Sequence, residues 1–165
     1  MCKDIGGAYF VCPGWWGMLD RELKDMYDID PRLSGVMVEE KYGHTRIKYD
    51  ECSDSKRDLL YMHEESIHRI SGETCELCGK RGKICEEDGW VSCRCERCQN
   101  ATHTERRQIQ RDTAAEYQTA LGKIAAYLPE GIELTEREAA AIRYGVQQRG
   151  ELDSIMNRII RRHGS

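Results

Sequence analysis

Two pairs of cysteines, Cys75 with Cys78 and Cys95 with Cys98, stand at a spacing that lets both thiolates of a pair reach one metal ion from a tight turn. Sixteen residues separate Cys78 from Cys95, an interval suited to the two knuckles of a four-cysteine zinc site. Gly79 follows the first pair where the knuckle must turn, and Gly82 and Gly89 can bend the ribbon between the pairs. Four thiolates close a tetrahedron and leave no open position. The expectation is therefore one structural zinc ion, which contributes folding free energy and no reactive water. Thiolates alone would also suit an iron–sulfur cluster; zinc is preferred because nothing else in the chain points to electron transfer.

Cys85 and Cys93 are extra thiols in the same stretch. They leave two other arrangements open: six thiolates shared between two zinc ions, or Cys93 as a ligand in place of Cys95. CELCGKRGKIC resembles the first half of the fungal binuclear DNA-binding motif, with Lys80, Arg81 and Lys83 included. CRCERC has the wrong spacing for its second half.

Other chemistry is weaker. HEESIH invites comparison with the HExxH helix of zinc proteases, but His68 lies at i+5 from His63, about 100° further round the helix than the i+4 position. Trp15 and Trp16 suit a binding hot spot or a core. Asp20, Glu22, Asp25, Asp28 and Asp30 fall in one stretch, either as a solvated face or as a mimic of nucleic-acid charge. No paired carboxylates with a base, no nucleophile elbow and no phosphate loop are visible, so binding and not catalysis is expected.

The elements that must position the cysteines follow from periodicity. Trp16, Leu19, Leu23 and Met26 recur at helical spacing, with Pro31 closing the run. VMVEEKYGHTRIKYDE alternates as a β-hairpin turning at Tyr42-Gly43-His44. Leu59, His63, Ile67 and Ile70 predict a second helix over 55–70, with weak capping from Ser55 and Asp58. Thr102 and Glu105 fit a capping box before a stripe of Ile109, Tyr117, Leu121, Ile124 and Leu128 that Pro129 ends.

Leu134, Thr135 and Glu138 start another helix, with Ala139, Ile142 and Val146 on one face and Gly150 as punctuation. Leu152, Ile155, Met156, Ile159 and Ile160 make an amphipathic last one. The fold class expected is α+β: a small helix–β-hairpin–helix unit with a zinc-ribbon knuckle pair, then a C-terminal helical hairpin or bundle. The segments are 1–73, 74–100 and 101–165, the second packed on the first.

The chain has 165 residues and a formal net charge of -4, so its totals give no strong field toward nucleic acid or membrane. Charge is uneven, with ten Lys/Arg against fifteen Asp/Glu up to Thr74. The C-terminus is locally basic through Arg158, Arg161 and Arg162. AYFVC is too short for a signal peptide and no stretch suits a membrane span. Nine cysteines without a secretory signal point to a reducing compartment, hence a cytoplasmic protein.

GWWGMLDREL, VEEKYGHTRIKY, TCELCGKRGK and GWVSCRCERC, in that order from Pro13 to Cys98, resemble the motifs of small uncharacterised phage and prophage proteins. The resemblance supports Cys75, Cys78, Cys95 and Cys98 as ligands, since Cys93 falls where that family has a non-ligand residue. It implies a phage-type accessory protein that binds a protein complex of the host, or of its defence machinery, as an anti-CRISPR-like inhibitor would. In a phage-encoded protein the compartment would be the host cytoplasm.

The alternative is a zinc-ribbon regulator that binds nucleic acid through Lys80, Arg81, Lys83 and the arginines at 158, 161 and 162. The segment from Glu133 has the outline of a helix-turn-helix, although Glu151 and Asp153 would repel phosphate at its second helix. Helix packing or a homodimer through the C-terminal helices suits it better.

Overall fold

The computed structural model describes Tyr9, residues 11–125 and residues 152–163. A 3-10 turn, Pro13–Trp15, runs into α1, Trp16–Ile29. The apolar stripe Trp16, Leu19, Leu23 and Met26 is buried, as is Trp15, so both tryptophans belong to the core. α1 stops before Asp30 and Pro31, where the missing proline N–H and its ring disfavour another helical turn. The Asp30 carboxylate accepts the N–H groups of Arg32 and Ser53 and the Ser53 hydroxyl, fixing the chain as it leaves the helix.

The first hairpin pairs β1, Met37–Lys41, with β2, His44–Lys48, in a register that sets Lys41 against His44. Its turn residues Tyr42 and Gly43 both have positive φ, 54° and 75°, the left-handed pair whose twist matches that of the strands. Val38, Thr45 and Ile47 face inward. Strand alternation therefore gives one buried and one wet face, as the sequence pattern implies.

After a 3-10 turn at Asp54–Lys56 comes α2, Arg57–Ser71. Its buried positions are Leu60, Ile67 and Ser71, and Leu59 is exposed, so the expected inward stripe through Leu59 and His63 is displaced by about one residue. Contacts with α1 and β2 select the face. Ser71 sits at its end as a buried polar group, its Oγ accepting the Thr45 N–H at 2.9 Å and donating to the His68 carbonyl at 2.8 Å. The Ser55 and Asp58 caps do not form; no side chain caps α2, and Arg57 pairs with Asp54 at 3.0 Å.

A second hairpin, the ribbon, joins β3, Lys83–Glu87, to β4, Trp90–Arg94, through Asp88 and Gly89 in the same left-handed pair. The short α3, Glu96–Asn100, follows, and then α4, His103–Ala125. The expected capping box forms: the Thr102 N–H donates to Glu105 Oε2 at 2.7 Å, and the Glu105 N–H returns to Thr102 Oγ1 at 3.4 Å. α4 reaches the core at Ala114 and Tyr117. The Tyr117 ring meets Trp16 edge to face at 5.1 Å, and its hydroxyl donates to the buried Asp20.

α5, Leu152–His163, is the amphipathic helix expected there; Ile159 is buried and Arg158, Arg161 and Arg162 are exposed. The helix expected around 134–146 and the stop at Pro129 lie outside the described residues. The architecture is α+β: helices with two two-stranded antiparallel hairpins and a cysteine cluster. Among the described residues no helix is long and apolar enough to cross a membrane.

Candidate metal centre

The first knuckle is Cys75-Glu76-Leu77-Cys78-Gly79-Lys80, folded back on itself. The Gly79 N–H donates to the Cys75 carbonyl at 2.9 Å, and the Cys75 N–H donates to the Lys80 carbonyl at 2.7 Å. Gly79 has φ 72°, the conformation such a knuckle requires and a side chain disfavours. The second knuckle runs from the end of β4 into the first turn of α3, bringing Cys95 and Cys98 opposite the first pair. The Glu76 N–H donates to the Cys93 carbonyl at 2.9 Å and stitches the two together.

The four Sγ atoms of Cys75, Cys78, Cys95 and Cys98 lie within 4.8 Å of one another. Cys78 is 3.7 Å from Cys95 and 3.6 Å from Cys98. Thiolates about 2.3 Å from a tetrahedral ion sit about 3.8 Å apart, so the set fits a metal ion of zinc's size. Leu77 and Ile109 wall the tetrad, and Cys75 and Cys98 are buried.

Burial pushes the Cys75 thiol up to about 11 against N–H groups of Cys95, Cys78 and Leu77 that favour its thiolate. Cys98 is also raised, by burial and then by its Cys95 neighbour. Burial acts upward on Cys95 too, but the Cys98 N–H and the surrounding thiols outweigh it and bring Cys95 down. A divalent ion ligates all four as thiolates and releases their protons.

Cys93 points away from the tetrad. It is buried in the main core, where its Sγ donates to the Gly72 carbonyl at 3.2 Å and burial pushes its thiol up to about 12. Alternation alone would set Cys93 and Cys95 on one face; they diverge because β4 ends at Arg94 and the chain turns into α3 between them. Cys85 lies on the other face of the ribbon, 3.5 Å from the carbonyl and hydroxyl of Ser92. Among the described residues the tetrad alone brings three or more candidate ligand groups together. That geometry favours neither a two-ion cluster nor Cys93 as a ligand.

The centre is fastened to the N-terminal core by residues whose role their spacing does not reveal. The Gly14 N–H donates to the Glu76 carbonyl at 2.9 Å, and the Trp15 indole donates to the Thr74 carbonyl at 2.7 Å. The proximity of GWW to the knuckle is a tertiary contact across some sixty residues. Only the co-occurrence of the two motifs hints at it.

On the outer side of the ribbon, Glu87 accepts Arg94 at 2.7 Å and Arg106 at 2.6 Å, while Arg94 also reaches the buried Glu76 at 3.4 Å. Arg106 further donates to the Cys98 carbonyl at 2.9 Å, which ties the start of α4 to the second knuckle. These two arginines are absent from the candidate residues of the sequence reading. Lys80, Arg81 and Lys83, which that reading names, are exposed around the first knuckle and the base of β3.

His44, His63 and His68 make packing and polar contacts. His44 stacks on His68 with ring centroids 4.2 Å apart and donates from Nδ1 to the His68 carbonyl at 2.9 Å, while His63 faces Glu22 at 3.5 Å. The structure thus separates His63 from His68 as the i+5 spacing implies. No protein-family model matches the chain, and neither a curated protein nor a solved structure does.

Proposed function

We propose that the chain is a non-enzymatic, zinc-stabilised protein that works by binding a macromolecular complex. Cys75, Cys78, Cys95 and Cys98 would hold one zinc ion, whose four positions they fill, so the metal supplies shape. The observation that carries a protein partner is the outward face of α2. There Leu59, Tyr61 and Met62 are 46%, 58% and 67% exposed, with Glu65 between them. Large apolar side chains grouped on a charged surface mark interaction sites more often than solvated helix faces. The phage-type resemblance puts a host complex first among partners, its defence machinery included, and an anti-CRISPR-like inhibitor is one form this would take.

Native mass spectrometry of the zinc-loaded protein, alone and with host extract, tests the reading. One zinc per chain and a partner that Met62→Lys releases while the zinc stays bound would support it. Absence of any protein partner, or a partner indifferent to Leu59, Tyr61 and Met62, would overturn it.

A further inference from the structure

The described cations fall into two populations. In the N-terminal segment most are engaged: Arg21 with Glu22, Lys24 with Asp25 and Asp28, Lys48 with Glu39, Arg57 with Asp54, and Arg69 with Glu73. Around the tetrad the pattern reverses. Lys80 and Arg81 leave the first knuckle, Lys83 opens β3, and Arg97 sits between Cys95 and Cys98; all four are exposed, and none has an ion pair among the described residues. The carboxylates nearby are mostly occupied, Glu76 by Arg94 and Glu87 by Arg94 and Arg106.

The free carboxylates of the ribbon, Glu86 and Asp88, lie toward its tip, three and five residues beyond Lys83 and so about 10–17 Å away along the strand. Glu96, next to Arg97, is the one exposed carboxylate of the second knuckle. The cysteine end therefore gathers four unpaired cations, which exceed Glu96 and the charge of about -2 that a zinc–tetrathiolate centre would carry, although the segment 75–100 is neutral by its formal Lys, Arg, Asp and Glu charges. Totals hide it; the pairing reveals it.

We infer that the cysteine end of the ribbon is a second binding surface, distinct from the α2 face, which takes the phosphodiester backbone of a nucleic acid. Two knuckles that one metal would hold together present four cations from a fixed backbone, and phosphate contacts of this kind position a strand without reading its sequence. The α2 reading and this one rest on different residues.

The test uses the full-length zinc-loaded protein and fluorescein-labelled 20-mers of mixed sequence, as duplex DNA, single-stranded DNA and single-stranded RNA, followed by anisotropy. Four phosphate contacts predict a log–log salt slope of about -3.6 on duplex DNA, hence roughly a hundred-fold loss of affinity between 50 and 200 mM salt. The double variant Lys80→Glu/Arg81→Glu should bind at least ten-fold more weakly at 50 mM and flatten the slope by about two. Lys41→Glu/Arg46→Glu, the same charge change on the first hairpin, should bind like the parent.

Zinc content and melting temperature of each variant separate lost contacts from lost folding. Absence of binding at 50 mM, equal weakening by both double variants, or equal binding of heparin at matched charge would each overturn the inference. The failure of Met62→Lys to release a protein partner would leave these readouts untouched.

Discussion

Trp15 and Thr74, fifty-nine residues apart, are joined by an indole N–H to carbonyl bond of 2.7 Å on the lip of the cysteine knuckle. Beside it Gly14 lies so close that a Cβ would stand 2.3 Å from the Cys75 carbonyl, 2.6 Å from the Glu76 carbonyl and 2.6 Å from the Gly79 nitrogen. All three atoms are backbone, so none can swing aside. The tryptophan-bearing core and the metal centre are consequently one packed unit, and the state of the knuckle is felt by the core.

Gly14→Ala is the direct probe of that junction. Forcing a methyl group against the knuckle backbone should cost about 1–3 kcal/mol, as over-packed interiors do. Because the strain falls on the Cys75–Gly79 turn, zinc affinity should fall together with stability. Urea unfolding and competition with a chromophoric chelator read the two effects. A variant with native zinc affinity and reduced stability would show that the junction is not coupled to the centre.

Removal of single thiols separates ligands from bystanders. Cys75→Ser or Cys98→Ser should lose the metal or hold it far more weakly, while Cys85→Ser keeps one zinc per chain. Cys93→Ala should also keep one zinc but lose roughly 1–3 kcal/mol, from the vacated core volume and the bond to the Gly72 carbonyl. Metal analysis and denaturation of the same samples check this. Loss of zinc in Cys93→Ala at normal folding would make Cys93 a ligand after all.

Much of this centre is legible in the chain because a metal knuckle is local. The CxxC spacing and Gly79 fix one turn, and Cys95 to Cys98 fix the other, with no knowledge of what surrounds them. Helix positions are legible for a similar reason, since the stripe from Trp16 to Met26 has one period and one outcome. The face of α2 is not: Leu59 and Leu60 are adjacent and equally apolar, and the neighbours α1 and β2 choose Leu60. The pairing of Arg106 with Glu87 is equally hidden, because it depends on how α4 leaves the second knuckle.

Asp20 illustrates a tertiary bond that pattern reading assigns to a solvated acidic face. It is buried, accepting the hydroxyl of Tyr9 at 2.7 Å and that of Tyr117 at 2.6 Å. The second bond holds α4 against α1. Tyr117→Phe keeps the ring contact with Trp16 and removes that hydroxyl, so it should destabilise by about 1–3 kcal/mol. Denaturant unfolding gives the value, and a change under about 0.5 kcal/mol would mean that other donors satisfy Asp20.

Asp30 supplies a pH-dependent test. The Ser53 N–H, foremost, then the Arg32 N–H and the Ser53 hydroxyl hold its carboxyl below the ordinary 3.8 against the opposing effect of burial. A carboxylate with a depressed folded value contributes stability that is complete above its unfolded pKa and is lost as pH falls through the folded one. The window therefore lies below about pH 4, where protonation of the thiolates of a metal-loaded tetrad would also weaken the fold. Asp30→Asn isolates the carboxylate, because thiolate protonation affects parent and variant alike. The variant should be less stable at pH 7, where the amide offers one acceptor oxygen in place of two, and the difference between the two proteins should shrink as pH falls from 4 to 2. Urea midpoints at pH 7, 4, 3 and 2 measure it; a difference that stays constant over that range would show that ionisation of Asp30 plays no part in holding Ser53 to the end of α1.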